Sequence, residues 1–178
     1  MSYFTEDQLI QKIPIYESRD ALFSAEVLRE SRTIREHYDF FISHSSADFR
    51  IVQGLYNELK SMGFSSFLDR VDAKGVDIQK MANYLKRAMD KSDYVLYAHT
   101  HNSIDSKWVP WELGYFDSNK GKDKIFVMPI INDNGKAKYI GQEYLSQYEE
   151  IEVENLDSIE PRKQRRKEYY EDIINGIF

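Results

Sequence analysis

From residue 38 onward, short apolar runs of strand length alternate with longer amphipathic stretches. The apolar runs occupy residues 38–43, 64–69, 93–100 and 124–131, and a weaker, alternating run at residues 148–154 predicts an edge strand. Between them, apolar side chains recur every three to four residues, as they do along one face of a helix. Val52, Leu55 and Leu59, for example, precede a glycine that ends the predicted helix, Gly63. This alternation predicts an α/β fold with a five-stranded parallel sheet and helices on both faces.

Residues 1–36 precede the alternating pattern, and we predict an N-terminal helical extension there. Thr5 and Gln8 have the spacing of a capping box, and Pro14 interrupts any long first helix. A second amphipathic pattern begins at Ala21. Such a helix packs on its own domain or contacts a partner. The chain therefore divides at this point into the extension and a domain formed by the rest, residues 37–178.

The C-terminal part of that domain carries a helix predicted to begin at Pro161 and to run to the end of the chain. A dense basic run, residues 162–167, lies at its start. We interpret this run as a solvated face, with contact to an acidic neighbouring subunit as the alternative.

Composition and charge narrow the functional classes. The 178 residues include no cysteine, which excludes disulfides, thiolate metal sites and cysteine nucleophiles. The four histidines have no metal-ligand spacing, so no metal is expected. A net charge of −6 disfavours nucleic acid as a partner. Neither a signal peptide nor a run of 18 apolar residues is present, so we expect a cytoplasmic protein without a membrane contact.

Candidate binding residues follow the predicted strands, because ligands of parallel α/β sheets bind beyond the carboxyl ends of the strands. The polar side chains in that position that we take as substrate-binding candidates are Ser43, His44, Ser45, Asp69, Lys74, His99 and Asn102. Ordinary roles compete with each of them. Capping and turn chemistry accounts for the first three equally well, and loop lysines are usually solvated. We expect His99 and His101 to lie in a wet loop, and Asp48 to cap the following helix.

Three segments together resemble the TIR (Toll/interleukin-1 receptor) family. YDFFISHSSAD is similar to its first box, FSSFLD with Lys74-Gly75 to its second strand and BB loop, and SIDSKWVPWEL to its Ser-x-Trp-x-x-x-Glu segment. In this chain that last motif is Ser106, Trp108 and Glu112. The resemblance implies a flavodoxin-like three-layer fold over residues 37–178. Two departures stand out: the N-terminal extension has no counterpart, and the BB loop lacks the common Gly-Asp step.

The resemblance also implies an activity. Enzymatic TIR domains cleave NAD with the glutamate of this motif, which here is Glu112, while Trp108 supplies an apolar wall. NAD+ would be the substrate, and no cofactor is implied. The stand-alone TIR NADases of Thoeris-type antiphage defence are similar proteins, whose cyclic or modified ADP-ribose products activate an effector partner. TIR–TIR self-association is implied as well.

Glu112 is chemically suited to such a reaction. Nicotinamide is a cationic leaving group that departs neutral, so no general acid is needed, unlike in ordinary glycoside hydrolysis. One carboxylate suffices to stabilise the oxocarbenium-like charge on the ribose. We predict that Glu112 lies in the first turn of a helix, where the macrodipole favours its ionised form.

Three functions compete for this chain. The first is an NAD+ glycohydrolase or ADP-ribosyl cyclase. The second is a non-catalytic TIR–TIR interaction module, in which Glu112 merely complements the helix dipole. The third is a nucleoside deoxyribosyltransferase-like enzyme, which shares a similar layered fold and also uses a glutamate on an N-glycosidic bond.

Overall fold

The computed structural model describes residues 3–13, 34, 37–69, 77–132 and 142–159. Within these ranges, a parallel sheet of six strands forms the centre of the molecule. The strands are β1 (Phe4–Thr5), β2 (Tyr38–Ser43), β3 (Ser66–Leu68), β4 (Ser92–His99), β5 (Ile125–Ile131) and β6 (Glu149–Glu150). The α-helices are α1 (Glu6–Gln11), α2 (Phe49–Ser61), α3 (Ile78–Asp90) and α4 (Val109–Lys120).

The strand order confirms the flavodoxin-like prediction. The path through the sheet runs β3-β2-β4-β5, and β6 pairs with β5 at Phe126 and Val127. Counted over the five strands that the sequence predicts, this order is 2-1-3-4-5, that of flavodoxin-like folds. Its topological switch point lies between β2 and β4, the strands from which the chain departs in opposite directions along the sheet.

The sheet has one strand more than predicted. β1 pairs with Ile130 and Ile131, so a segment assigned to the helical extension extends the sheet. A two-residue strand has no alternating pattern for the sequence to reveal. The fifth predicted strand, in contrast, is reduced to the exposed pair Glu149–Glu150, and a 3₁₀ helix (Val153–Ser158) replaces its second half.

Helices cover both faces of the sheet, so the predicted three layers are present. On one face, α1 and α2 pack against buried side chains of β2 and β4 that include Phe40, Ile42 and Leu96. On the other face, α3 and α4 pack against Phe41 and Val95. The side chains of β2 alternate between the two cores because successive residues of a strand point to opposite faces.

The described part of the predicted extension, residues 3–13, is closely packed. The Thr5 hydroxyl accepts from the Gln8 N–H at 3.1 Å and the Gln8 side chain accepts from the Thr5 N–H at 2.9 Å, which confirms the predicted capping box. A Cβ added at Gly54 of α2 would lie 1.9 Å from the Leu9 carbonyl oxygen. The absence of a side chain at Gly54 thus allows α1 to approach α2.

Several predicted features lie outside the described residues. They are the helix from Ala21, the BB loop with Lys74, the helix from Pro161 and the basic run at 162–167. Among the helices that are described, none combines the length and the apolar character that crossing a bilayer requires.

Candidate functional site

The carboxyl ends of β2 and β4 lie side by side at the topological switch point. Ser43, the last residue of β2, pairs with Tyr97 of β4, and β4 ends two residues later at His99. Ser43, Tyr97 and His99 therefore point to the same face of the sheet, the one covered by α3 and α4. We call the space between these two strand ends the switch crevice, because folds of this type bind ligands there.

Glu112 projects from α4 into this region. It lies in the first turn of the helix, as predicted, and its N–H donates to the Trp108 carbonyl at 2.9 Å. Pro110 is accommodated in the same turn, where a missing N–H costs little. The Ser43 hydroxyl donates to Glu112 Oε2 at 2.5 Å. Only 5% of Glu112 and 1% of Ser43 is exposed, so this contact joins α4 to β2 away from bulk solvent.

Burial opposes the effect of the helix dipole on the ionisation of Glu112. Burial raises the pKa of its carboxyl to about 8, the Ser43 hydrogen bond opposes that rise, and the negative charge of Asp69 adds to it. A helix N-terminus contributes at most about 2 kcal/mol toward ionisation. The net rise in pKa corresponds to roughly twice that free energy. Burial therefore outweighs the helix N-terminus, and the surroundings of Glu112 favour the protonated carboxyl near neutral pH.

Three candidates lie at the carboxyl end of β2. Among the hydrogen bonds that the structure describes, Ser43 is the one of the three that contacts Glu112. His44 is half-buried, and its Nδ1 donates to the Ile42 carbonyl at 3.2 Å. Burial lowers the pKa of His44, so its ring is neutral with the lone pair on Nε2. Ser45 has the predicted capping role, because its hydroxyl accepts from the Ala47 N–H at the start of a 3₁₀ turn (Ser46–Asp48).

At the end of β4, the two histidines have different environments. His101 is exposed, as expected for a wet loop, but His99 is buried with 6% of its surface exposed. The Tyr97 hydroxyl donates to Ser103 Oγ at 2.8 Å, and His99 Nδ1 lies 3.1 Å from the same hydroxyl. Burial lowers the pKa of His99. The expectation of a wet loop is thus correct for His101 and wrong for His99.

Asp48 has a role that the sequence does not reveal. It occupies the N-cap position of α2, as predicted, but the structure shows no hydrogen bond from its side chain to that helix end. Instead its carboxylate accepts from the Thr100 hydroxyl and from the Asn102 side-chain amide, both beyond β4. Asn102, a substrate-binding candidate, therefore contacts Asp48. Only the proximity of two loops in space brings these residues together, and no local pattern encodes it.

The remaining candidates flank the crevice. Asp69 follows β3, is half-buried and acts electrostatically on Glu112. Trp108 is half-buried one turn before Glu112 and contacts Trp111 edge to face, with 5.4 Å between ring centroids. Trp111 in turn stacks on Tyr115. Three aromatic side chains thus contact one another from the N-cap of α4 onward, and the role of Trp108 as an apolar wall for a ligand stays a prediction.

A group of metal-capable side chains lies at the opposite end of the sheet. His37, Asp39 and Asp93 place one ligand atom each within 4.8 Å of one another, at the amino ends of β2 and β4. His37 Nε2 lies 2.8 Å from Asp93 Oδ2, and Asp39 accepts from the N–H and hydroxyl of Ser65. The ammonium of Lys120 interacts with Asp93 as well. Both carboxylates thus already have protein partners, and the group lies at the end of the sheet opposite the switch crevice.

Comparisons with known proteins agree with the motif resemblance. The TIR domain family profile matches residues 40–167. A Bacillus cereus protein named "Probable 3' cyclic ADP-D-ribose synthase ThsB'" is 32% identical over 162 residues, which are 83% of this chain and 82% of that protein. The Escherichia coli "NAD(+) hydrolase TcpC" is 30% identical over 58% of this chain, which spans 34% of the relative. The TIR domain of the Toll-related receptor TRR-2 from Hydra magnipapillata superposes with a TM-score of 0.47 at 15% identity, over 73% of this chain and 97% of that domain.

Proposed function

This chain belongs to the TIR domain family, and on that premise we propose that it cleaves the nicotinamide–ribose bond of NAD+ at the switch crevice. One observation carries the proposal: the buried carboxyl of Glu112 lies at the topological switch point and accepts a hydrogen bond from Ser43, the last residue of β2. Glutamates in such surroundings interact strongly with charge that develops nearby, because little water screens them.

The reaction needs little from the protein beyond this carboxylate. When the bond between the ribose carbon and the pyridinium nitrogen breaks, its electron pair stays with the nitrogen and nicotinamide leaves neutral. Ionised Glu112 stabilises the positive charge that develops on the ribose. The same carboxylate then accepts the proton of the attacking hydroxyl.

We propose that the attacking group belongs to the same molecule, so that the product is a cyclic ADP-ribose. The similarity to the Bacillus cereus protein, over most of both chains, supports this choice over simple hydrolysis. The name of that relative also supports a role in Thoeris-type antiphage signalling, in which the product acts on an effector protein. We place this activity in the cytoplasm, where NAD+ is available.

The activity is tested by incubating the protein with NAD+ and, separately, with deoxynucleosides. Nicotinamide release from NAD+ is expected, together with a product of the mass of ADP-ribose less one water. Chromatography and mass spectrometry of both reactions distinguish the three functions. Base exchange on deoxynucleosides would identify a deoxyribosyltransferase. No turnover of either substrate at any protein concentration would identify a non-catalytic interaction module.

Self-association is tested by dilution. If TIR–TIR contacts complete the site, the activity per molecule is expected to fall when the protein concentration drops below the dissociation constant of the oligomer. Nicotinamide release is measured over a hundredfold or wider range of protein concentration, and the oligomeric state is followed by light scattering. A specific activity that stays constant while the oligomer dissociates would show that each monomer is complete.

A further inference from the structure

The carboxylate of Asp48 joins the two chain connections that border the switch crevice. Its Oδ2 accepts from the Thr100 hydroxyl at 2.5 Å, and its Oδ1 accepts from the Asn102 amide at 2.7 Å. Asp48 belongs to the β2–α2 connection, whereas Thr100 and Asn102 begin the β4–α4 connection. Asp48 is 1% exposed and Thr100 2% exposed, so water does not compete for the hydrogen bond between them, whereas Asn102 is exposed.

The segment that Asp48 holds is itself well ordered by hydrogen bonds. The Thr100 N–H donates to Ser103 Oγ at 2.9 Å, and the Ser103 N–H donates to Thr100 Oγ1 at 3.1 Å. The hydroxyl of Tyr97, in β4, also donates to Ser103 Oγ. Residues 100–103 thus form a compact rim, and Asp48 is the group that attaches this rim to the opposite side of the crevice.

A second contact links the strand and the helix that adjoin these two connections. The bond from Ser43 to Glu112 links the end of β2 to the start of α4, while Asp48 links the start of α2 to the rim. The first contact holds the carboxylate that acts on the ribose. The second joins the two sides of the crevice through the carboxylate of Asp48.

We propose that Asp48 is a positioning residue that fixes the rim 100–103 for dinucleotide binding. This proposal rests on the proposed function, and it assigns to Asp48 neither proton transfer nor contact with the reacting atoms. We call the two hydrogen bonds from Thr100 and Asn102 to Asp48 the latch. Its loss is expected to raise KM for NAD+ about tenfold, the effect of one hydrogen bond to a charged group. The kcat falls much less, because Ser43 and Glu112 keep their own contact.

The first variant is Asp48→Asn, in which the shape is kept. An amide has one acceptor oxygen, and its NH2 group would face a donor from Thr100 or Asn102. The matched control is Asp90→Asn, which removes an equal charge at the far end of the sheet. The carboxylate of Asp90 also accepts a hydrogen bond from a hydroxyl group, that of Tyr115. Steady-state kinetics are expected to show the rise in KM for Asp48→Asn alone, with parental values for Asp90→Asn.

The decisive variant is the double exchange Asp48→Asn with Asn102→Asp. The new amide at position 48 donates to the new carboxylate at position 102 and still accepts from Thr100, so the latch is restored with reversed polarity. We expect KM to recover most of its parental value. A proton-transfer role for Asp48 would not be rescued in this way, and parental kinetics of the single variant or no recovery in the double variant would overturn the proposal.

Amide hydrogen exchange gives a readout that does not depend on turnover. The N–H groups of Thr100 and Ser103 are expected to exchange faster in Asp48→Asn and to regain protection in the double variant. Their unchanged protection in the single variant would overturn the latch even if KM rose. If the parental protein does not cleave NAD+, the proposed function is wrong, and the amide exchange of Thr100 and Ser103 still tests the latch. If Asp48→Asn does not fold, the exchange measurement is made on Asn102→Ala, which removes one exposed partner of Asp48.

Discussion

A Glu112→Gln variant is expected to lose turnover and yet to be more stable than the parental protein above pH 8. The loss of activity follows from the removal of the charge that stabilises the ribosyl cation. Single groups that stabilise transition-state charge contribute a factor of about a thousand to kcat. The gain in stability follows from the environment of Glu112, since burial raises its pKa to about 8.

The sign of the stability effect follows from proton linkage. Between its ordinary pKa and the raised value, Glu112 binds more protons in the folded than in the unfolded state. The protein is therefore stabilised below the ordinary pKa and loses that stabilisation as the pH rises through 8. The loss amounts to on the order of 4 kcal/mol. Glutamine carries no titrating proton, so the variant lacks this loss.

Nicotinamide release and thermal unfolding between pH 5 and pH 9 measure both effects. Asp117→Asn on the same helix serves as the control, because its half-buried carboxylate has only a long contact, 3.4 Å from the Tyr148 hydroxyl, among the residues that the structure describes. The control is expected to retain activity and the parental pH dependence of unfolding. Parental kinetics of Glu112→Gln, or unfolding curves that shift equally with pH in both proteins, would contradict the assignment.

The fold could be predicted because its main elements carry strong periodic signals. β2, β4 and β5 are buried on both faces and appear as continuous apolar runs. β1 could not be found in this way, since two residues such as Phe4 and Thr5 show no period. Its place in the sheet depends on tertiary contact with Ile130 and Ile131, which the local sequence does not encode.

The site could be predicted only as far as local motifs reach. The family resemblance singled out Glu112, and the strand-end rule singled out Ser43, but their contact across 69 positions of sequence is a property of the fold. The sequence reveals the helix dipole that acts on Glu112, but it does not reveal the burial that raises the pKa of this carboxyl. Asp48 was assigned to a cap for the same reason: the nearest explanation in sequence is not the partner in space.

The pH dependence of NAD+ cleavage should reveal the protonated resting state of Glu112. Because kcat/KM reports ionisations of the free enzyme, it is expected to rise tenfold per pH unit and to level off near the pKa of Glu112, about 8. At pH 6 it would lie about a hundredfold below its plateau. The pyridinium cation of bound NAD+ favours the ionised carboxylate, so the profile of kcat is expected to level off at a lower pH.

Two variants move this profile in opposite directions. Ser43→Ala removes the hydrogen bond that lowers the pKa of Glu112, and the kcat/KM profile is expected to shift toward alkaline pH by about one unit. Asp69→Asn removes a negative charge that raises this pKa, so its profile shifts toward acid pH. Initial rates of nicotinamide release at low NAD+, from pH 5.5 to 9.5, measure both shifts against the parental protein. Parallel shifts, or a parental profile that is flat across pH 8, would show that another group controls the rate. Opposite shifts can arise only if the ionisation of Glu112 itself limits catalysis, because Ser43 and Asp69 act on its charge with opposite sign.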